Sequence, residues 1–332
     1  MTLTTGHICC GAGGDILGAK QAGAIPLWGF DLNAMAVHTA RANHPDTTIH
    51  HADLRCIKTT DLSAVDMIIC GIPCQPFTPI GKRLKEKDTR DITIPLVKLI
   101  DNLRPAYLLF ENVREYKSSD SFQILNDGLS MYDINWQVIN YADYGIPQRR
   151  LRLFGLGKLR DGDALQHPKQ THTESPDIFN QLSPWIKFSD IRDGKDMRPM
   201  SARALSGAFS RRSKYIKSGH GFSLQLVDDN NLCPTVLATM YSGSGCKSNM
   251  VIVYDNGRLR HLSFLEARRA QGFTDDYMFC GNKKDNWLMV ANAIPPGIAK
   301  TYIRRIDHGT YNNINLNQAF VCKNDIQGDK NG

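Results

Sequence analysis

The chain has 332 residues, of which 42% are hydrophobic and 22% charged, and a net charge of +7. That length suits about two domains, or one large α/β domain carrying an insertion. The absence of any apolar run long enough to cross a bilayer points to a soluble globular protein rather than a membrane-embedded one.

No basic segment followed by an apolar one opens the sequence, so no secretory signal is expected. The nine Cys residues are odd in number and contain no C-x2-C pair. They suggest neither a zinc ribbon nor a full disulfide framework, so no metal is expected and free thiols in a reducing cytoplasm fit best. The modest positive charge favours a polyanionic partner without requiring one. Its distribution says more: Lys82, Arg83, Lys85, Lys87 and Arg90 crowd one loop, and Arg198, Arg203, Arg211, Arg212, Lys214 and Lys217 crowd a later segment.

In chain order, residues 6–10 read as a strand that opens into a Gly-rich turn and a helical stretch to Gln21. Residues 26–30 read as a second strand, 34–42 as a helix and 52–54 as a short segment after His50. The apolar run 64–70 reads as a buried strand. A helix over 94–103, a strand over 107–110 and a last strand pair over 136–141 and 151–156 follow. Repeated βα units predict an α/β fold with a doubly wound, mainly parallel sheet. From about 160 to 257 the chain is rich in Ser, Asp, Pro and Arg, with short strand-like pieces and no strong helical period. This predicts a smaller, irregular, β-rich domain. Helical patterns return at 264–270 and after Pro296, and the Asn-rich end from Tyr311 is expected to fray, at least past Val321. The expected division is a main domain of residues 1–159 plus 285–332, and a second domain of 160–284 that includes a bracing helix.

Three clusters point to chemistry. Gly11-Ala12-Gly13-Gly14, with Gly18 beyond, lies between the first strand and first helix, where glycines let a ligand approach the backbone. A dinucleotide fingerprint needs a glycine at 16, where Ile16 stands, so a dehydrogenase is disfavoured. Asp31, 20 residues after Gly11, can accept hydrogen bonds from ribose hydroxyls, and Asp53, read as the end of the third strand, could take an adenine amino group. The plainer reading of the glycines is a tight βα turn.

The second cluster is Gly71-Ile72-Pro73-Cys74-Gln75-Pro76 at the end of strand 64–70. Ligand crevices of open α/β sheets lie outside the carboxyl ends of the strands, so Cys74 beside Pro73 is presented to a ligand there. A lone Cys is more often a small buried hydrophobe. A basic loop following it directly is harder to dismiss. The third cluster pairs Glu111, at the end of strand 107–110, with Gln148-Arg149-Arg150-Leu151-Arg152. A strand's period of two puts Arg150 and Arg152 on one face and Leu151 and Leu153 on the other. Taken singly, Glu111 reads as a solvated strand end and the arginines as an amphipathic edge.

Together these residues resemble the cytosine-C5 DNA methyltransferases of bacterial and phage type. Pro73-Cys74-Gln75, with Phe77-Thr78 after it, is similar to the family's Pro-Cys-Gln-x-Phe-Ser/Thr. Cys10 to Gly14, Asp31 and Asp53 match its first three motifs, Glu111-Asn112-Val113 its Glu-Asn-Val and residues 148–152 its Gln-x-Arg-x-Arg. Arg260, Ser263 and residues 266–273 resemble the penultimate motif, read here as a structural brace. Ala291-Asn292-Ala293-Ile294-Pro295-Pro296 looks like the last motif, and Thr235-Val236 and Gly243-Ser244-Gly245 look like the recognition domain's Thr-Val/Leu dipeptide and Gly-rich loop.

The resemblance implies a Rossmann-like, class I S-adenosylmethionine-dependent methyltransferase with a target-recognition domain. The cofactor would lie against Cys10, Gly11, Gly13, Gly14, Asp31, Leu32, Asp53, Leu54, Pro73, Asn292 and Ala293. Cys74 would add to C6 of a flipped-out cytosine, Glu111 would protonate N3, and one of Arg150 and Arg152 would hold the base oxygen O2 while the other anchors Glu111 or the thiolate. A low-dielectric pocket would keep Glu111 protonated often enough to act. Gln75, Lys82, Arg83, Thr235, Tyr241, Gly243, Ser244 and Gly245 would contact double-stranded DNA. A cytoplasmic monomer, in some systems with a cognate restriction endonuclease, is implied. Cys9, Leu32 and Ala291 stand where the family commonly has Phe, an aromatic residue and Gly, which implies a looser cofactor pocket. An RNA cytosine methyltransferase and an inactive DNA-binding regulator are the alternatives. The first lacks its typical Cys-Phe-Thr insert here, and the second sits poorly with intact Cys74, Glu111, Arg150 and Arg152.

Overall fold

Seven strands form one sheet in the order β3-β2-β1-β4-β5-β8-β6. They are β1 (Thr4–Ile8), β2 (Ile25–Asp31), β3 (Thr48–His51), β4 (Met67–Gly71), β5 (Tyr107–Asn112), β6 (Tyr132–Asn140) and β8 (Leu151–Leu159). β1 to β5 run parallel, whereas β8 is antiparallel to both β5 and β6. The computed structural model describes residues 2–73, 91–160, 164–177, 179, 181–195, 198–218, 224–242 and 251–317. Cys74, Gln75, Lys82, Arg83, Gly243, Ser244 and Gly245 lie outside the described residues, as does the side chain of Tyr241.

Alternating side chains build a core on each face of the sheet. Ile68 and Cys70 of β4 and Leu108 and Phe110 of β5 pack with Leu96, Leu99 and Ile100 of α3 (Thr93–Leu103) and Leu125 of α4 (Asp120–Gly128). Met67, Ile69 and Leu109 face the other way, onto Ile298, Tyr302 and Ile303 of α8 (Pro296–Asn317). Burying each such side chain contributes about 1.5–3 kcal/mol, more than the roughly 1 kcal/mol net of a ladder hydrogen bond. The two apolar faces therefore hold the sheet. α1 (Gly14–Ala22) lies close against α8, because a Cβ at Gly18 would collide with the Pro296 carbonyl oxygen and the Ala299 methyl group. α2 (Ala34–Asn43) starts at Asn33, whose side chain caps the Met35 and Ala36 N–H groups.

Several short strands follow β6. β7 (Gln148–Arg149) pairs in parallel with β12 (Cys233–Pro234), and β9 (His172–Thr173) with β10 (Ser183–Pro184). β11 (Gln225–Val227), β13 (Val251–Asp255) and β14 (Arg258–His261) form a three-stranded sheet. α6 (Phe264–Ala270) and α7 (Lys283–Asn292) complete the chain order.

Four sequence expectations need correction. The stretch 160–257 has a strong helix, α5 (Ala202–Lys217), whose Leu205, Ala208 and Phe209 supply a short apolar stripe. α7 was not anticipated. The third strand ends at His51, and Asp53 instead caps a 3-10 turn, Leu54–Cys56, by accepting the Arg55 N–H. The last helix continues past Tyr311 through Asn317, while the stretch past Val321 expected to fray lies outside the described residues.

Candidate active site

The chain leaves β1 toward β2 on one side and β4 toward β5 on the other, so the carboxyl ends of β1 and β4 form the switch point at which open α/β sheets bind ligands. A cleft of about 450 Å³ lies there. Gly11, Asp31, Leu32, Asp53 and Leu54 line it, together with Pro73, Glu111, Arg150, Arg152 and Asn292. Cys9, Asn33 and Met289 also line it, and no sequence motif marks Asn33 or Met289.

The Gly-rich turn opens onto this cleft. Gly11 has a φ of +54° and nothing within 4 Å of the place a Cβ would occupy, leaving its backbone open to a ligand. Cys9 also has a left-handed φ of +54°, a strain of about 1–3 kcal/mol for a non-glycine residue. Asp31 fixes the turn: Oδ2 accepts the Gly11 N–H at 2.9 Å and Oδ1 the Asn33 N–H at 2.8 Å. Burial pushes its carboxyl up from the ordinary value, while these two N–H groups pull the other way. Asp53 Oδ1 accepts from the Arg55 N–H at 2.9 Å and from its Nε at 3.0 Å. The side chain of Leu32 is largely exposed at the cleft. Cys10 turns away and packs with Ile16, Val37 and Ala40. Gly13, Gly14 and Ala293 lie behind the wall: a Cβ at Gly13 would meet His44, and one at Gly14 the Ile294 carbonyl and the Ala293 methyl.

Glu111 is set by the β4–β5 register, which places it beside Gly71. Its carbonyl accepts the Ile72 N–H at 3.1 Å, so β5 also fixes Ile72, the residue before Pro73. The Glu111 carboxylate lies 3.2 Å from Arg152 Nε and accepts the Tyr141 hydroxyl at 3.3 Å. Burial pushes the Tyr141 phenol up, so it stays a donor. Arg150 behaves differently from Arg152. Its guanidinium donates to the Val236 carbonyl at 3.2 Å and the Ala291 carbonyl at 2.7 Å, and lies over the Tyr141 ring. Both arginines line the cleft, yet the expected alternation is incomplete: Leu153 is buried and Leu151 is 45% exposed, because β8 starts only at Leu151.

Two buried polar junctions were not foreseen. Gln148 Nε2 donates to the Ala270 carbonyl at 3.1 Å and to Gln271 Oε1 at 2.7 Å, while its Oε1 accepts the Val236 N–H at 3.0 Å. Gln271 Nε2 in turn donates to the Ala293 carbonyl at 2.6 Å. A glutamine can do this because its amide both donates and accepts. Thr235 joins the same seam, donating to the Arg149 carbonyl at 2.8 Å. In the penultimate motif, Arg260 and Glu266 pair at 2.6 Å in full burial, and Asp255 joins Arg260 to Arg192.

The second junction lies under the Gly-rich turn. Tyr277 donates to the Ala12 carbonyl, and His44 Nε2 lies 3.1 Å from both the Gly13 carbonyl and the Tyr277 hydroxyl. Burial, with the charge of Lys20 second, pushes the His44 pKa down to about 4. The unfolded value is about 6.5, so between pH 6.5 and about 4 the unfolded chain binds more protons. Stability from neutral His44 is therefore complete above pH 6.5 and lost as pH falls through this window, by roughly 3 kcal/mol at most. Urea unfolding at pH 4.5 and 7.5 should show a smaller pH dependence for His44→Gln than for the wild type; equal dependence would contradict this.

The model of the family described as C-5 cytosine-specific DNA methylase matches residues 3–308. The Type II methyltransferase M.NgoMIV of Neisseria gonorrhoeae is 27% identical over 323 residues, covering 92% of this chain and 97% of that protein. M.AplI of Arthrospira platensis, also a Type II methyltransferase, is 28% identical over 308 residues, covering 89% and 83%. Among solved structures, a DNMT2 mutant of Spodoptera frugiperda superposes with a TM-score of 0.71 at 16% identity, covering 92% of this chain and 100% of that one. The Entamoeba histolytica methyltransferase EhMeth gives 0.69 at 16% identity, covering 93% and 99%. These structures share the fold, a class I methyltransferase sheet with its helices. With the family model matching nearly the whole of this chain, the chain belongs to the C-5 cytosine-specific DNA methylases, enzymes that place a methyl group on C5 of cytosine in DNA.

Proposed function

We propose that the methyl donor is S-adenosylmethionine, bound in the cleft at the β1–β4 switch point, and that Cys74 attacks a cytosine flipped out of duplex DNA into the same cleft. One observation carries this reading: the Gly11–Asp31 turn and the Glu111–Arg152 pair line a single cavity, with Pro73 at its edge and Cys74 next in the chain. The donor set suits an adenosine. Asp31 has lone pairs beyond those taken by Gly11 and Asn33 with which to accept ribose hydroxyls, and Gly11 offers an open backbone face. When bound, S-adenosylmethionine supplies an electrophilic methyl group on a sulfonium sulfur.

The remaining chemistry belongs to the protein. Cytosine C5 is a poor nucleophile until the Cys74 thiolate adds to C6, which loads negative charge onto the ring. Glu111, in its protonated form, delivers a proton to N3 and neutralises that charge, leaving the carboxylate that pairs with Arg152. Arg152 orients Glu111 through their ion pair. Arg150 donates to the Val236 and Ala291 carbonyls and lines the cleft, from where in this reading it holds the base oxygen. Once C5 is alkylated, loss of its proton to a base or water lets Cys74 leave by elimination.

Residues 1–159 with 285–332 form the catalytic domain in this reading, and 160–284 the recognition domain. Gln75, Lys82 and Arg83 contact DNA beside the target base. Tyr241 and the 243–245 loop read base edges in the groove, while phosphate contacts position the protein. Thr235 acts by tying this segment to Arg149. The protein works as a cytoplasmic monomer, paired with a restriction endonuclease if it belongs to a restriction–modification system. Among the described residues no helix is long and apolar enough to cross a membrane.

The test offers tritium-labelled S-adenosylmethionine with unmethylated genomic DNA or with total cellular RNA. Label in DNA, recovered as 5-methylcytosine within one sequence context, is expected. Label confined to RNA, or to neither, would contradict the reading.

A further inference from the structure

Helix α5 contains five cations, Arg203, Arg211, Arg212, Lys214 and Lys217, and no acidic residue. The helix itself therefore carries a net charge of five positive units within 16 residues. Among the described residues none of the five forms an ion pair with a carboxylate.

The arrangement along the helix is ordered. Arg203, Ser206, Ser210, Lys214 and Lys217 follow at steps of three and four residues, which places them on one helical face, and all five are exposed. The opposite face packs Leu205, Ala208 and Phe209 against Ile252 of β13. The stripe is about 21 Å long at 1.5 Å per residue. It offers only hydrogen-bond donors and hydroxyls, which suits phosphate oxygens. Helix stability does not explain it. Lys214 and Lys217 suit the C-terminal end of the helix dipole, but Arg203 sits in the first turn, against the dipole, and no acidic residue is there to offset it.

The position of α5 is equally informative. Ile252 faces α5, whereas its neighbours Val251 and Val253 face the opposite side of the sheet, toward Trp287 and Val290 of α7. α5 thus lies on the sheet face turned away from α7, whose Met289 and Asn292 line the cleft. We propose that the Arg203-Ser206-Ser210-Lys214-Lys217 stripe is a phosphate-docking surface for duplex DNA flanking the target site, separate from the catalytic cleft. The proposal rests on the reading that this protein acts on duplex DNA.

The test compares wild type with the triple variant Arg203→Gln, Lys214→Gln, Lys217→Gln, which keeps good helix formers and leaves the apolar face intact. Circular dichroism melting first verifies that the variant folds. If it does not, the single variants Arg203→Gln and Lys217→Gln replace it, each with an expected slope loss of about 0.9. Binding to a long duplex containing the target is then measured from 50 to 200 mM salt. Three phosphate contacts contribute about 2.7 to the slope of log K against log salt, so a loss of about 2 or more is expected for the triple variant. A smaller loss for the triple variant, or one seen on single-stranded RNA and not on duplex, would overturn the proposal. Whether wild type methylates the same duplex is scored separately, so failure of the underlying reading stays distinguishable from failure of the stripe.

Discussion

Cys74→Ser is expected to reduce methyl transfer to background while leaving DNA affinity within a few-fold of wild type. An ordinary thiol is roughly one-tenth ionised near pH 7.5, and a cationic neighbourhood raises that fraction, whereas a serine hydroxyl offers essentially no alkoxide at neutral pH. The substitution changes one atom, so binding surfaces persist. Arg150, Arg152 and the basic loop that begins at Lys82 are untouched. Single-turnover methyl transfer and a mobility-shift titration measure the two quantities on one preparation. Residual transfer within about 100-fold of wild type would contradict a nucleophilic role, because an unionised hydroxyl cannot replace a thiolate that well.

Glu111→Gln should lose roughly 10²- to 10⁴-fold in turnover, the range associated with general acid catalysis. The amide keeps the size of the carboxyl and can still accept the Tyr141 hydroxyl. It cannot donate a proton to N3 at the cost a carboxylic acid does. It also removes the counter-charge of Arg152, whose side chain is only 15% exposed, so a stability loss of about 1–3 kcal/mol should accompany the kinetic effect. Rates are therefore to be read well below the variant's melting temperature. Turnover within a few-fold of wild type would make Glu111 a structural residue.

Much of this was legible because the relevant residues are local in sequence. A buried strand announces itself by an apolar run, so β4 and the position of Pro73 at its end could be read from residues 64–73 alone. Asp31 at the end of β2 and Glu111 within β5 follow from the same rule, since both lie where a strand meets the crevice. What could not be read depends on chain closure. Gln148 meets Gln271 across 123 residues and His44 meets Tyr277 across 233, and no local pattern marks either pair.

Two misreadings have a different cause. α5 has its apolar residues at 205, 208 and 209, a true i, i+3, i+4 pattern, but serines and cations dominate its composition and masked the period. Asp53 fails as a strand end because Asp readily caps a turn with its own side chain, which stops β3 two residues earlier.

The most direct test of the central claim, a covalent bond from Cys74 to C6 of the target cytosine, uses duplex DNA with 5-fluorocytosine at the methylated position. Fluorine cannot leave C5 as a cation, so the final elimination is blocked and the adduct accumulates. Wild-type protein with S-adenosylmethionine should give a denaturation-resistant protein–DNA complex, with peptide mapping placing the cross-link on Cys74, and Cys74→Ser should give none. A wild type that methylates ordinary cytosine in that site yet forms no such complex would contradict the mechanism.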